Sequence, residues 1–489
     1  MGAAPGRPQQ SGQHPPCRRS PGAGFLAALV MCAQPAFAGA DEPAPWSERV
    51  VTRHLDYEAL AGPLDKDRLE ALISDGERLF TGKFTRADGA GRPMATQAII
   101  PTRRKRAVET AFSRTGLDAN SCSSCHHEPV AGGSGPFTAN AFVSEGFDTP
   151  DFDSLDPQFS NERGTTHLFG AGLIELLARE MTGELKAQRS EGLRKARASG
   201  APATVALSAK GVGFGKLTAA ADGTVDLSGL EGIDTDLVVR PFSQKGVMTS
   251  LRQFSINAAN QHHGMQAEER FGARWTGSGD FDEDGVSDEL SPGDISALVA
   301  FQASLSPPGR KADLPPRWAE AAGRGESLFA QMGCAACHRP FLPLKSLAFT
   351  DPGPDDAAGT LRLGDVARPI LLDLGVTQWA RSLPRNAAGE VLVPLFGDLK
   401  RHIIADVGID RLGNELLAQR FVERDAFMTA ELWGVGSTAP YGHRGDILSL
   451  AEVIEAHGGE ATDARKAWLA AGEEAREDVI AFLRSLVLQ

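Results

Sequence analysis

Two short motifs with the spacing C-x-x-C-H constrain this 489-residue chain more than any other feature. The first occupies residues 122–126 and the second residues 334–338. Only two of the six cysteines, Cys17 and Cys32, lie outside these motifs. Both of those lie in the predicted signal peptide, so every remaining thiol has the same sequence context.

This spacing is typical of covalent haem attachment. A c-type haem is held by two cysteine thioether bonds, and its iron takes a histidine nitrogen. Residues three apart face the same side of a helical turn, so both sulfurs of each pair can reach one edge of the macrocycle. The motif is specific for this use. We therefore predict two haem c groups, attached at Cys122, Cys125, Cys334 and Cys337, with His126 and His338 as iron ligands.

Three other uses of paired cysteines fit this sequence less well. A four-cysteine zinc site has its two pairs about 15 to 20 residues apart, which is far closer than these two. A thioredoxin-like redox motif belongs to a βαβ context that the sequence does not show. Structural disulfides need no histidine after the second cysteine.

Residues 1–38 have the features of a secretory signal peptide. Arg18 and Arg19 precede an apolar stretch, and residues 36–38 form an A-x-A cleavage site. No later segment has 18 uninterrupted apolar residues, so the sequence predicts no transmembrane span. We therefore expect the mature protein in the periplasm.

The chain is acidic, with a formal net charge of −13, and the predicted signal peptide carries only basic charges. An acidic surface repels phosphates and argues against nucleic-acid binding. It favours a positively charged protein partner, although solubility alone explains it equally well.

Each C-x-x-C-H motif lies in a larger unit that occurs twice. G-E-x-L-F segments at 76–80 and 325–329 precede the motifs, and amphipathic helices are predicted after them at 293–305 and 477–486. An opening helix, a C-x-x-C-H and a closing apolar helix resemble the cytochrome c fold. The sequence therefore predicts a mainly α protein with two cytochrome c-like haem domains.

The predicted N-terminal domain is the larger one. A long helix is expected from His167 to about Ala198, and residues 203–230 predict a small β-hairpin insertion that turns at Asp222-Gly223. A proline-rich stretch predicts the linker. The predicted divisions are a signal peptide at 1–38, the N-terminal haem domain at 45–305, the linker at 306–318 and the C-terminal haem domain at 319–489.

The chain resembles the bacterial di-haem cytochrome c peroxidase superfamily. The resemblance is carried by the two motifs, by TAPYGHRGDILSLAEVIEAHGGEA at 438–461 and by the terminal VIAFLRSL. That superfamily includes the methylamine-utilisation enzyme that matures tryptophan tryptophylquinone. HLFGAGLIELL and SLRQFSINAANQHHGM point to its di-haem oxidoreductase branch. The resemblance covers nearly all of residues 70–489.

The resemblance implies that the C-terminal haem passes electrons and carries a second axial ligand, which falls on His457. His457 also ends a predicted helix, where a histidine can serve as a cap favoured by the helix dipole. His443, in PYGHRGD, is implied to form hydrogen bonds near the haem.

The N-terminal haem is implied to be the catalytic one. Peroxide chemistry requires an open iron position and an acid–base group within hydrogen-bond reach. The family's glutamate falls within NQHHGMQAEER, so His262 or His263 takes its place, either as acid–base catalyst or as an iron ligand. Met265 and His167 are further candidate ligands.

Phe242 stands where the family has a tryptophan between the two haems. A phenylalanine ring can pack between two macrocycles but is far harder to oxidise than tryptophan. This residue therefore argues against long-lived radical storage of the methylamine-enzyme kind.

Residues 280–290 (DFDEDGVSDEL) begin like a calcium-binding loop. Gly285 is at the position of the sharp turn, but position 12 is Ser291 instead of glutamate. A calcium site and a solvated acidic turn are both compatible with this pattern. The acidic positions 1, 3, 5 and 9 are Asp280, Asp282, Asp284 and Asp288.

The leading hypothesis is a periplasmic, peroxidase-like di-haem oxidoreductase. Electrons would enter at the C-terminal haem from a small cytochrome or a cupredoxin, and a peroxide-like substrate would react at the N-terminal haem. The superfamily also implies a homodimer. The alternative is an electron-transfer cytochrome with both irons six-coordinate, and maturation of a partner's side chains is a third reading.

Overall fold

A computed structural model describes residues 46–91, 119–142, 160–357, 359–406, 411–415 and 418–488. The predicted signal peptide at 1–38 lies outside the described residues. Trp46–Gln489 forms one compact unit, in which the two predicted haem domains pack together.

The first half of the described chain contains seven α-helices and the second half four more. In chain order these are α1 (Tyr57–Leu60), α2 (Lys66–Thr81), α3 (Ala171–Ser199), α4 (Leu251–Ala258), α5 (Glu268–Phe271), α6 (Ala273–Thr276), α7 (Pro292–Ser304), α8 (Pro316–Gln331), α9 (Leu450–Ala456), α10 (Thr462–Ala470) and α11 (Glu473–Ser485).

The described strands are short and form several separate sheets. In chain order they are β1 (Gly62–Pro63), β2 (Gly135–Phe142), β3 (Ser160–Thr165), β4 (Ala203–Ala209), β5 (Val212–Ala219), β6 (Val225–Asp226), β7 (Gly309–Arg310), β8 (Leu342–Leu344), β9 (Ala348–Asp351), β10 (Ile370–Asp373), β11 (Val391–Val393), β12 (Arg401–Ile403), β13 (Ala426–Met428) and β14 (Leu486–Val487). Three-stranded sheets have the orders β1-β10-β9 and β4-β5-β6, and the pairs are β2-β3, β8-β11, β12-β13 and β7-β14.

The expectation of a mainly α fold is wrong. The chain is 38% helical and 17% strand, with several small sheets. Strands β8 to β13, of three or four residues each, are spread along the chain between the second C-x-x-C-H and α9. Runs this short show too little alternation to be told from loop sequence, and that is why the sequence did not reveal them.

The predicted hairpin insertion is a three-stranded sheet instead. Its main hairpin, β4-β5, turns at Lys210 and Gly211, which both have positive φ. Asp222 and Gly223 make the second turn, from β5 to β6. Buried side chains of β4 and β5 pack against α3, because this sheet has one apolar face that needs a cover.

Each C-x-x-C-H is framed by one pair of packed helices. The opening helix α2 packs against the closing helix α7, and the opening helix α8 packs against the closing helix α11. Helix α7 begins at a capping box in which Ser291 and Asp294 satisfy each other's backbone N–H groups. The predicted linker holds the short strand β7, which pairs with β14 next to the end of α11.

Candidate functional site

Both C-x-x-C-H motifs fold into the same tight turn. One turn of 3₁₀-helix spans Cys122–Ser124, and another spans Cys334–Ala336. The His126 amide donates to the Cys122 carbonyl at 3.0 Å, and the His338 amide donates to the Cys334 carbonyl at 3.0 Å. Side chains three residues apart eclipse in such a turn, so both sulfurs of each motif lie on one side.

The four cysteines are free thiols in the described structure. Burial raises the pKa of Cys122 to about 12 and that of Cys334 to about 11. A redox-active cysteine needs a depressed pKa, because the thiolate is the nucleophile. The electrostatics of these two thiols therefore argue against thioredoxin-like chemistry.

A phenylalanine of each opening helix contacts the histidine of the motif that follows. The ring centres of Phe80 and His126 are 6.3 Å apart at an interplanar angle of 51°. Phe329 and His338 repeat this geometry at 6.1 Å and 52°. These phenylalanines end the G-E-x-L-F segments, so the sequence repeat corresponds to a repeated contact.

Each closing helix adds a second ring to this contact. Phe301 of α7 packs on Phe80 with ring centres 5.0 Å apart. Phe482 of α11 packs on Phe329 at 5.4 Å. The wall beside each histidine is therefore aromatic and comes from both helices of the pair.

The glycine of each G-E-x-L-F segment marks the point where the two helices cross. A Cβ on Gly76 would lie 2.0 Å from the Ala297 carbonyl oxygen of α7. A Cβ on Gly325 would lie 1.9 Å from the Asp478 carbonyl oxygen of α11. Only glycine allows this approach, and the approach brings the phenylalanine four residues later against the histidine.

The C-terminal motif faces a second histidine. The His338 and His457 rings have their centres 6.4 Å apart at an interplanar angle of 64°. His338 Nδ1 donates to the Phe396 carbonyl at 3.3 Å, and His457 Nδ1 donates to the Val453 carbonyl at 2.6 Å. His457 lies directly after α9, whose last turn supplies that carbonyl.

The geometry of this pair fits a metal ion between the two rings. A bond between an imidazole nitrogen and a metal ion is about 2.0–2.1 Å long, so two rings on opposite sides of one ion have centres roughly 6 Å apart. The carbonyl partners fix Nδ1 as the protonated atom and leave each Nε2 available as a ligand. Burial lowers the pKa of His338 to about 4 and also lowers that of His457. Both rings are therefore in the neutral form that metals bind.

His126 is held in the same way at the N-terminal motif. Its Nδ1 donates to the Thr166 carbonyl at 2.8 Å, which leaves Nε2 for a ligand. Burial lowers the pKa of His126 to about 4, and the nearby His262 contributes to this shift. The residues of both motifs thus fit a covalently attached haem.

The two histidines predicted opposite His126 lie in one π-helical turn, Ala259–His263, which Gly264 ends with a φ of 66°. His263 is 4% exposed, its Nδ1 donates to the Ala119 carbonyl at 2.6 Å, and its Nε2 lies 3.7 Å from the Cys122 sulfur. His262 is half-buried. Single π-helical turns inside helices are frequent at functional sites.

The other two candidate ligands of the N-terminal iron have different surroundings. Met265 is fully buried in the main hydrophobic core. His167 Nε2 donates to the Trp433 carbonyl at 3.1 Å. His262 and His167 both lie near His126, because His262 lowers the pKa of His126 and His126 lowers the pKa of His167.

Phe242 lies in a segment that contacts both the N-terminal and the C-terminal half of the chain. It is half-buried and packs with Val247 and Met248. Two residues later, the Gln244 side chain donates to the Gly164 carbonyl at 3.2 Å. The backbone carbonyl of Gln244 accepts from the Met428 backbone amide at 2.9 Å.

His443 is buried in a polar cluster that the sequence did not predict. Its ring is 6% exposed, neither ring nitrogen has a hydrogen-bond partner, and its Nε2 lies 3.5 Å from Glu415. Glu415 also pairs with Arg163 at 2.6 Å and with Lys245 at 3.1 Å. Burial, together with the charges of Arg163 and Lys245, lowers the pKa of His443 to about 3.

A second charged cluster adjoins the C-terminal motif. His402 Nε2 lies 2.9 Å from Asp398, and its Nδ1 lies 2.7 Å from Glu460. Burial opposes protonation, but hydrogen bonds to Asp398, Cys337 and Glu460 raise the pKa of His402 to about 10. Cys337, Asp398 and His402 are also close enough to share a metal ion. Cys337 cannot offer a thiolate to this metal ion and also form a thioether bond to haem, because a thioether sulfur is no longer a thiolate.

The candidate calcium loop brings three of its four predicted acids together. Carboxylate oxygens of Asp280, Asp282 and Asp284 all lie within 4.8 Å of one another. Asp288 is exposed and lies beside Gly279 instead. The buried Glu289, which was not predicted, accepts a hydrogen bond from the Gln266 amide at 2.7 Å.

Comparison with known proteins gives two low-scoring structural similarities. The chain is similar to Kuenenia stuttgartiensis hydrazine synthase, at a TM-score of 0.37 and 14% identity, over 93% of this chain and 100% of that one. It is also similar to a MauG-like protein associated with microbial copper homeostasis, at a TM-score of 0.26 and 16% identity, over 64% of this chain and 88% of that one. At these scores neither similarity carries an argument about fold or function.

No protein-family model matches the chain, and neither does any curated protein. Among the described helices, none is both long and apolar enough to cross a membrane.

Sequence reasoning missed the groups that hold the site histidines. The carbonyls of Thr166, Phe396 and Val453 carry no sequence signal, since every residue has one. Glu415, Arg163 and Lys245 come from three distant segments. The phenylalanines and glycines of the G-E-x-L-F repeat were visible, and their identical spacing in both units could have predicted the shared contact.

Proposed function

We propose that this protein is an exported di-haem c-type cytochrome oxidoreductase with peroxidase-like chemistry at its N-terminal haem. The observation that carries the proposal is the twice-repeated C-x-x-C-H turn whose histidine lies against a phenylalanine of the opening helix. A zinc site or a disulfide has no need of this aromatic wall, whereas the flat face of a macrocycle does.

In this proposal Cys122, Cys125, Cys334 and Cys337 hold the two haems. His126 binds the N-terminal iron, and His338 and His457 bind the C-terminal iron. When bound, the haems supply one-electron redox chemistry. The surrounding carbonyls orient the three imidazoles, and their burial excludes the protonated forms that cannot bind a metal.

The two irons have different tasks in this proposal. His338 and His457 would both hold the C-terminal haem, which would supply storage and transfer of electrons. Two imidazole ligands give a lower reduction potential than one imidazole and a methionine sulfur. His126 would hold the N-terminal haem, and His262 would hold and deliver the proton that peroxide cleavage requires.

Electrons would cross between the haems near the segment that contains Phe242. This segment is fixed to both halves through Gln244 and through Lys245, whose ammonium group donates to three carbonyls of residues 423–426 at 2.7 to 3.0 Å. The acidic surface supports a basic electron donor such as a small cytochrome or a cupredoxin.

Electron paramagnetic resonance of the oxidised and the half-reduced protein tests this function. The N-terminal haem should give a high-spin signal in at least one redox state, while the C-terminal haem stays low-spin. His262→Gln should keep the high-spin signal but lower peroxide turnover by about 10² to 10⁴. His263→Gln is the matched comparison, and we expect a smaller loss because its ring is held by Ala119 and Cys122.

A different outcome would favour a second function, electron transfer without substrate. The observation in its favour is that His262 lies close enough to His126 to influence its pKa. If both haems are low-spin in every redox state, and His262→Gln converts the N-terminal one to high spin, His262 is an iron ligand and the peroxidase proposal fails.

A further inference from the structure

The acidic loop at residues 280–289 holds three carboxylates close together, although repulsion between their charges opposes this arrangement. The Asp284 and Gly285 amides donate to the two oxygens of Asp280, each at 3.1 Å, and this folds the loop back on itself. The fold brings oxygens of Asp280, Asp282 and Asp284 within 4.8 Å of one another. Three carboxylates at this distance repel unless a cation or protons lie among them.

Asp282 supplies an independent observation. Its side chain is only 7% exposed, and its Oδ1 is buried without a hydrogen-bond partner. A buried, unpartnered carboxylate oxygen costs free energy that a bound cation would offset. Burial, together with Asp284 and Asp280, raises the pKa of Asp282 to about 7.

The charges around the loop are mostly negative. Glu289 is 3% exposed, and burial and the three aspartates raise its pKa well above its usual range. Arg86 lies close enough to counter part of the shift of Asp284. Within the described part of the chain, Arg86 alone does not neutralise four neighbouring carboxylates, and these surroundings favour a divalent cation.

We propose that this loop binds one calcium ion through Asp280, Asp282 and Asp284. Oxygen ligands alternating along a loop with a glycine at its turn suit calcium, which accepts flexible all-oxygen coordination. Magnesium demands a tighter octahedral arrangement. Ser291, at the position of the usual bidentate glutamate, is committed to the cap of α7 and does not take part.

The loop is joined to the π-helical turn that carries His262 and His263. The Glu289 carboxylate accepts a hydrogen bond from the backbone amide of Gln266, which lies three residues after His263. It also packs on Gly89, where a Cβ would lie 2.3 Å from the Glu289 carboxyl carbon. Gly91 in turn donates its amide to the His263 carbonyl at 3.2 Å. Calcium would therefore fix the turn opposite His126 from two sides.

Titration calorimetry on the chelator-treated, full-length exported protein tests the calcium site. We expect one Ca²⁺ per chain when CaCl₂ is raised to about 10 mM, since calcium modules of exported proteins bind with Kd values of about 10⁻⁴–10⁻³ M. Asp282→Asn and Asp284→Asn should each weaken binding on the order of 100-fold. Glu283→Gln, in the same loop but with an exposed side chain, is the matched control and should bind like the wild type.

Absence of binding to the wild-type protein, equal binding of MgCl₂, or undiminished binding by Asp282→Asn would overturn the site. The link to the turn has its own readout. Removing calcium should change the spin state or the absorption spectrum of the N-terminal haem, and an unchanged spectrum would refute that link. Calorimetry measures calcium binding without using the haems, so its result tests the calcium site independently of the proposed function.

Discussion

At the scale of single residues, His402 holds a positive charge beside the C-terminal motif. Asp398 and Glu460 contact its two ring nitrogens at 2.9 and 2.7 Å. This arrangement keeps the imidazole protonated across the physiological pH range.

The same residue makes stability depend on pH. Its pKa is about 10 in the folded protein against 6.5 for a free histidine. Its stabilising contribution is therefore complete below about pH 6.5 and is lost as the pH rises through about 10. Melting temperatures from pH 6 to 11 should fall more steeply for the wild type than for His402→Gln. Parallel curves would show that His402 is not protonated in the fold.

Residue identity predicted the attachment chemistry, but not how the histidines are held. The C-x-x-C-H spacing alone indicates two cysteines and one ligand, because the motif is local. The 6.4 Å approach of His457 to His338 joins residues more than a hundred positions apart, and only the resemblance indicated it. The burial of His443 among Glu415, Arg163 and Lys245 depends on four segments and had no signal.

At the scale of elements, the crossing of the opening and closing helices determines where each phenylalanine lies. Gly325 allows α8 to approach the Asp478 carbonyl of α11. Phe329, one turn later on α8, then contacts both Phe482 and His338. If α8 and α11 crossed at a different point, the Phe329 ring would move away from His338.

Gly325→Ala should therefore destabilise the protein, by about 1–3 kcal/mol, because the new Cβ forces the helices apart. Gly323→Ala is the matched control on the same helix, since nothing lies within 4 Å of its added Cβ. Alanine's higher helix propensity should make that variant more stable by up to about 1 kcal/mol. Urea unfolding followed by circular dichroism measures both, and equal effects would refute the crossing argument.

Long secondary-structure elements were easier to predict from the sequence than short ones. Predicted helices at 293–305 and 477–486 correspond to α7 and α11 within a few residues, because their apolar periodicity is long enough to recognise. The short strands that make the mainly α expectation wrong had no such periodicity. The insertion sheet was missed as a three-stranded unit because Lys210-Gly211 was not recognised as its main turn.

At the scale of the whole molecule, a buried ion network joins the two predicted haem domains. Arg252 of α4 is 1% exposed and binds Glu269 at 2.8 Å and Asp351 at 2.7 Å. Asp351 belongs to β9, in the half that contains the second motif. The linker likewise pairs with the end of the chain through β7 and β14. These contacts hold the two halves in one unit.

Arg252→Met should cost about 3–5 kcal/mol, because it leaves two buried carboxylates without their partner. Arg274→Met removes an arginine that is 67% exposed and lies 3.7 Å from Asp365, so its effect should stay below about 1 kcal/mol. Urea unfolding, followed both by circular dichroism and by haem absorption, measures the difference. Similar losses for the two variants would show that the network does not join the halves.

Mass spectrometry of the exported protein tests the central claim most directly. The intact mature chain should carry the added mass of two haems, and peptides containing residues 122–126 and 334–338 should each carry one. The haems should resist extraction by acidified acetone, because thioether bonds hold them. Unmodified or disulfide-bonded cysteines in either peptide would contradict the account.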